Sequence, residues 1–472
     1  MKLRRRIPLR EVVVDLCSQR AGRLLIAASA LAVFTCLAAA PMANAQAAAQ
    51  QPAGQQAAGQ KNYKDRGEYD LFSKVTQTQD PKERLQLLNT WQDKYPQTDF
   101  NQERLQYFVA TLAQLAQSDP NARQQLLQKA SDLLKIDPKN YQAMYYVALF
   151  GPGVGGTACT PDVTSQVQTS GQGVVDNINS MFDPAKKPQA MSDADFTKAK
   201  NGALAVAHNA LAWVDACKKD NPGAESEYKA SLEANPDQGN ISAAYAKVLY
   251  EDKKTADALF EYARAAEYTG PGPALPEAAR KQLTDFFNKA YQGYHGGTDG
   301  ADQVLNQAKT SALPPSGFNI VSANEAAQGE ANALNARIQS DPAFKIWYAV
   351  EQSLQQKGDA FFNSDVKDAE IPGGAEGVKW FKGTVISLDP VDAPTKVVLG
   401  VQDPKTPDAT LLFTKPLAAD ALNTIKVGNQ IEFSGVADSY TANPYMLTFK
   451  DPSVNGVQTA TPPKKGTTRR HR

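Results

Sequence analysis

Three histidines and four cysteines supply all the soft or readily titrating ligands in this chain of 472 residues. His208, His295 and His471 have no Cys, Asp or Glu at metal-ligand spacing, and no His-Glu-x-x-His occurs. His208 reads as a packing or groove residue, His295 as a cap in a glycine-rich turn, and His471 as part of a tail. No Gly-x-Ser-x-Gly elbow is present, and neither Cys159 nor Cys217 has a nucleophile context. The run Gly151-Pro152-Gly153-Val154-Gly155-Gly156 could cradle phosphate only if Gly-Lys-Ser/Thr followed; Thr157-Ala158-Cys159 follows instead, which leaves a connector. Carboxylates abound, but Glu225, Glu227, Glu251 and Asp252 read as solvated helix faces. The expectation is a chain with no catalytic residues, no cofactor and no metal. Its chemistry would be recognition.

The compartment follows from the first residues. Lys2, Arg4, Arg5, Arg6, Arg10, Arg20 and Arg23 precede an apolar run from Leu24 to Ala40, and Ala43 and Ala45 suit a signal peptidase. This predicts a leader over 1–45 cleaved after Ala45, and a periplasmic or secreted protein. Three rivals are weaker: the apolar run is slightly short for an anchor, Val33-Phe34-Thr35 is a poor lipoprotein box for Cys36, and Pro8 spoils a twin-arginine signal. Without the leader the chain has 43 basic and 48 acidic residues, a net of −5. Five of those bases, Lys464, Lys465, Arg469, Arg470 and Arg472, lie in a tail over 453–472, so the body is acidic. That argues against nucleic acid and leaves the tail as a peripheral contact for an anionic envelope. Cys17 and Cys36 fall in the leader. Cys159 and Cys217 are then an even pair in an oxidising compartment, either bridged or two buried thiols.

Such a surface needs a scaffold, and the sequence spells one. After a linker over 46–62, free of charge from Gln46 to about Gln60, apolar stripes at helical spacing begin: Leu85, Leu88 and Trp91, then Leu105, Phe108 and Leu112, then Leu126, Ala130 and Leu133. Prolines 96, 138 and 236 end helices by disfavouring the helical region for the residue before them. Residues 63–150 read as degenerate helical repeats and 151–200 as an insertion with one helix. Over 201–272 an echo appears: Ala224, Tyr228 and Ser231 recur as Ala258, Tyr262 and Ala265, each shifted by 34 residues. Leu211 and Ala212, with Pro236 closing that unit, match Tyr245, Ala246 and Leu249 in the next. A period of this length marks stacked helix–turn–helix units, because no unit buries its apolar face alone.

These positions resemble the small and large positions of the tetratricopeptide repeat, with Ser242 standing where a larger residue is common. Capping helices are expected over 273–360. The period then changes to β-branched and aromatic strands, predicting a small barrel of the OB type over 365–452. Trp380, Phe381, Phe413, Phe433, Tyr440 and Tyr445 read mainly as its core, with a stacking face as the alternative. The Tyr294-His295-Gly296-Gly297 turn, Pro314-Pro315-Ser316-Gly317-Phe318 and Tyr445-Met446-Leu447-Thr448-Phe449 resemble elements of exported tetratricopeptide proteins of the acidobacterial type. That resemblance implies a mainly α fold, an α-solenoid followed by a small β-domain, and no known activity, so it leaves the function open. The expected function is a non-enzymatic adaptor for a protein or peptide partner, with Asn209 lining its groove. The alternatives are an envelope polymer or carbohydrate held by the β-domain, and an enzyme built from scattered acids.

Overall fold

The computed structural model describes residues 61–457, which divide into two compact units at Ala323/Asn324. The leader, residues 46–60, His471 and the basic tail from 458 onward lie outside the described residues. Lys61 and Asn62, assigned above to the linker, are tied to the first unit through Glu103 at 2.5 Å and Asp99 at 3.1 Å.

The first unit is an array of antiparallel helices: α1 (Arg66–Gln77), α2 (Pro81–Lys94), α3 (Asn101–Leu115), α4 (Pro120–Ile136), α5 (Tyr141–Gly155), α6 (Pro161–Met181), α7 (Asp193–Lys218), α8 (Asn221–Ala234), α9 (Ser242–Glu251), α10 (Thr255–Glu267), α11 (Glu277–His295) and α12 (Ala301–Thr310). The starts are chemically simple. Asp80 accepts from Glu83 N at 2.8 Å and Asp119 from Asn121 N at 2.9 Å, each followed by a proline whose missing N–H costs nothing there. One core joins α1 to α7 around Trp91, Phe108 and Tyr146; a second lies around Tyr228, Tyr245 and Tyr262; a third surrounds Phe260 and Phe287.

The segment read as an interrupting connector and insertion, 151–200, is corrected. α5 runs through Gly151 and Gly153 to Gly155, and α6 packs between α5 and α7 as a member of the array. Gly151 and Gly155 serve close approach rather than a loop. A Cβ on Gly151 would come within 2.2 Å of Val167 Cγ2, and one on Gly155 within 2.4 Å of the Trp213 ring.

The second unit holds α13 (Ala323–Ser340), which straddles the division, α14 (Pro342–Phe361) and six strands: β1 (Glu370–Ile371), β2 (Phe381–Asp389), β3 (Lys396–Gly400), β4 (Ala409–Leu412), β5 (Gln430–Ala442) and β6 (Tyr445–Val454). The neighbour order β5-β2-β3-β4-β6 closes through β5–β6 into a five-stranded barrel, with β1 on the free side of β5. All pairs are antiparallel except β4–β6, where Ala409 lies opposite Leu447 and Leu411 opposite Phe449. Phe381, Val385, Val397, Leu399, Phe433, Leu447 and Phe449 alternate inward. Trp347 of α14 is fully buried among them, its ring centroid 5.2 Å from Phe381 and 6.2 Å from Phe449. Two boundaries therefore move. α14, expected to cap the helical array, belongs to the barrel because Trp347 fills its core. Residues 453 and 454, expected in the tail, pair with Ser434 and Phe433.

Candidate binding groove

The echoing residues sit where close packing requires. Ala212, Ala224, Ser231, Ala246, Ala258 and Ala265 are buried at helix crossings, and Leu211 and Leu249 are buried beside them. Ser231 also donates to Ala205 O at 2.8 Å, tying α8 to α7. The tyrosines bridge one helix pair to the next: Tyr228 meets Tyr245 at 5.7 Å and Tyr262 meets Phe286 of α11 at 4.9 Å. Pro236 is exposed, and its carbonyl accepts from Arg264.

Along the opposite side of α7 runs a depression. Ala194, Thr197, Lys198 and Asn201 line its open end with Asn235, Pro236 and Asp237. Gly202, Val206 and Asn209 continue the stripe at helical spacing into a cavity of about 190 Å³. Its other walls are Tyr145, Leu149, Phe150 and Pro152 from α5, Gln117 and Arg123 from the α3–α4 corner, and Asn235, Gln238, Asn240 and Ile241 from the α8–α9 loop. Asn235 borders both parts.

The α8–α9 loop holds its amides in place through its own bonds. Gln238 Nε2 donates to Asn235 O at 3.2 Å, and Asn235 Oδ1 accepts from Asp237 N at 3.1 Å. Asn240 N donates to Pro273 O at 3.1 Å, which presses the loop on 268–273; there a Cβ on Gly239 would strike Tyr268 at 2.4 Å. Asn240 Oδ1 is shielded from solvent and has no hydrogen-bond partner in the structure. Arg264, 2 % exposed on α10, anchors the loop from beneath, donating to Pro236 O, to Ser311 O at 2.7 Å and to Ala308 O at 3.3 Å. At the far end, the Cys159–Cys217 disulfide and Trp213 Nε1 to Gly156 O at 3.0 Å join the turn after α5 to α7, so both walls of the groove are fixed to each other.

The open end carries Asp193, Lys198 and Asp237, whereas the inner cavity has one charged residue in its lining, Arg123. Arg123 at its rim donates to Ala116 O at 2.6 Å and to Gln117 O, closing the end of α3. The same use recurs along the chain. Of the seven arginines between 61 and 457, Arg84, Arg104, Arg123, Arg264, Arg280 and Arg337 all donate to backbone carbonyls; Arg66 pairs with Asp70.

Other singled-out residues lie elsewhere. His208 Nδ1 meets Glu227 Oε2 at 2.7 Å between α7 and α8, so Glu227 is not a merely solvated acid; Glu225 pairs with Lys254 at 2.5 Å. Glu251 faces Lys247 at 3.8 Å, and Asp252 N closes α9 on Val248 O. His295 ends α11, with Nδ1 at 2.7 Å from Val321 O. Phe381, Phe413, Phe433 and Tyr445 are buried in the barrel, Trp380 is half-buried, and Tyr440 donates to Asp359 at 2.9 Å. Among the described residues no group of three His, Cys, Asp or Glu could hold a metal ion, and no helix is long and apolar enough to cross a membrane.

Sequence reasoning found Asn209 but missed Asn235, Gln238 and Asn240. The signal was present in Asn235-Pro-Asp-Gln-Gly-Asn240, an amide-rich loop inside an otherwise acidic array. No protein-family model matches the chain, and no curated protein or solved structure matches it either.

Proposed function

We propose that this chain is an exported, non-enzymatic adaptor of the tetratricopeptide type that holds an extended protein or peptide segment along α7. The observation that carries the reading is that two depressions lie along one helix, α7, with Asn235 bordering both. The α7 stripe from Ala194 to Asn209 spans roughly 22 Å, room for about six extended residues. A row of amides beside a strand-like ligand supplies both donors and acceptors for its backbone.

The repeat assignment is supported by the 34-residue echo, by its small residues at helix crossings and by tyrosines that bridge successive pairs. The OB assignment of the barrel is supported by its strand order and its one parallel pair, β4–β6, with a single 3₁₀ turn, Ala421–Asn423, between β4 and β5. Export is supported by the composition of residues 1–45 and by the Cys159–Cys217 bridge, which suits an oxidising compartment. A polymer-binding barrel gains nothing from its aromatic residues, since four of the six are core.

The test is capture of envelope proteins on immobilised chain, read by mass spectrometry. Asn209→Ala is expected to reduce capture at least several-fold. Undiminished capture by residues 324–472 alone would sink the reading.

A further inference from the structure

Resting on that reading, we infer that the groove selects an acidic extended segment, with one carboxylate on Arg123 in the inner cavity and a second on Lys198 at the open end. The first argument is which charges in the walls already have a partner. The acids do. Asp193 Oδ1 lies 2.5 Å from Lys187 Nζ, and Asp237 accepts from the Tyr268 hydroxyl at 3.3 Å with the buried Arg264 charge close by. The cations do not. Among the described residues neither Lys198 nor Arg123 lies within ion-pair distance of an acid. In a body that is acidic overall, two unanswered cations on one groove mark where an anion is accepted.

The second argument is the geometry of Arg123. Its Nε and Nη2 close the end of α3 on Ala116 O and Gln117 O, which leaves both Nη1 protons and one on Nη2. That remaining edge is the fork that takes a carboxylate through two parallel bonds. The amides of Gln117 and Asn209 in the same lining can donate to the other lone pairs of the carboxylate. Leu149, Phe150, Val206 and Ile241 form the apolar walls, so solvent screens a charge pair here less than at the exposed Lys198. A basic group entering the cavity would face the guanidinium with no acid to offset it.

The third argument is spacing. Val206, which lines the inner cavity with Arg123, lies eight residues beyond Lys198 on α7. That is roughly 12 Å along the helix, the reach of about four extended residues. The segment therefore carries its two acids about four residues apart.

The probes are hexapeptides of alanine and glutamine, blocked at both ends, titrated calorimetrically against the full chain. They carry no glutamate, one glutamate, two adjacent glutamates, or two glutamates four residues apart; a parallel set carries lysine. One glutamate is expected to tighten binding about tenfold through the partly buried fork. A second, four residues away, is expected to add about two- to threefold, and an adjacent one nothing. Lysine peptides are expected to bind less tightly than the uncharged one. Lys198→Gln, an exposed change, is expected to remove only the second increment, and added salt to erase that increment before the first. Arg123→Gln is expected to remove the first, with an unchanged melting profile certifying the fold. Lys281→Gln, exposed on α11 away from the groove, is expected to change nothing. Equal binding of acidic, uncharged and basic peptides, or a loss in Lys281→Gln equal to that in Lys198→Gln, would overturn the inference while leaving peptide capture standing. An uncharged hexapeptide with a free C-terminus that binds as tightly as the best two-glutamate peptide would overturn it in favour of a chain end. No binding by any hexapeptide overturns it too and, together with no capture of envelope proteins, removes the underlying reading.

Discussion

Two buried ionisable residues on α10 behave in opposite ways. Arg264 is paired with carbonyls from two separate loops and stacks 4.8 Å from the Tyr268 ring. Truncating it to methionine leaves the Pro236 and Ser311 carbonyls without their donor, an expected loss of about 3 kcal/mol in chemical denaturation. Lysine, with one donor centre in place of a fork, is expected to recover only part of that. Glu261 is fully buried, with the equally buried Ser242 hydroxyl beside its carboxyl. The small residue at 242, noted above as unusual for the repeat, fits a crossing where both side chains are fully enclosed. Burial pushes the Glu261 carboxyl from 4.5 up to about 8, against the opposing pull of the Ser242 hydroxyl and, after it, of Arg264. The folded chain therefore keeps a proton that the unfolded chain releases. This contribution to stability is complete below about pH 4.5 and is lost as pH rises to about 8, at no more than about 1.4 kcal/mol per pH unit. Glu261→Gln is expected to flatten that slope in denaturation midpoints measured across the range; an unchanged slope would refute the assignment.

At the level of elements, the helix stops and the echo were legible because each has a local cause. Proline just past the last turn stops a helix, as at Pro96, Pro138 and Pro236, and small residues recurring at a spacing of 34 are visible without a structure. The middle of the array was not legible, because glycine has two uses that look alike in one sequence. In a loop it supplies positive φ; at a crossing it supplies the absence of a Cβ. Gly151 and Gly155 belong to the second kind, and only Val167 and Trp213, far along the chain, reveal it. Gly155→Leu is accordingly expected to destabilise the array by about 1–3 kcal/mol through overpacking, whereas Gly153→Ala, with nothing within 4 Å of its Cβ, is expected to be neutral or slightly stabilising. The same distance argument explains the groove. Its walls come from five stretches between Gln117 and Pro273, and one helix carries only a stripe of it. The Cys159–Cys217 bridge spans 58 residues, so loop entropy alone predicts that its reduction costs about 4 kcal/mol, read as a fall in denaturation midpoint on adding a reductant.

For the molecule as a whole, the decisive property is that its two units carry separate cores and separate titrations. In the barrel unit, burial pushes Asp408 up to about 6 although it accepts from Val401 N at 2.7 Å and Gln402 N at 2.8 Å. Burial and the nearby Asp408 charge push Glu351 of α14 in the same direction. Both acids hold their protons more firmly in the folded unit; the Asp408 contribution is full below about pH 4 and fades as pH climbs to about 6. Above that the barrel has little further to lose from Asp408, while the helical unit continues to lose stability through Glu261 up to about pH 8. The disulfide, in turn, lies wholly within the helical unit. Calorimetric scans are therefore expected to resolve two transitions that respond to different agents. Raising the pH from about 4 to 6 lowers both, because Glu261 and Asp408 release protons on unfolding over overlapping ranges. Going on from about 6 to 8, or adding a reductant, lowers only the helical transition. One transition that shifts as a single block under all of these treatments would mean that the two cores unfold together, and the groove could then not be loosened without the barrel.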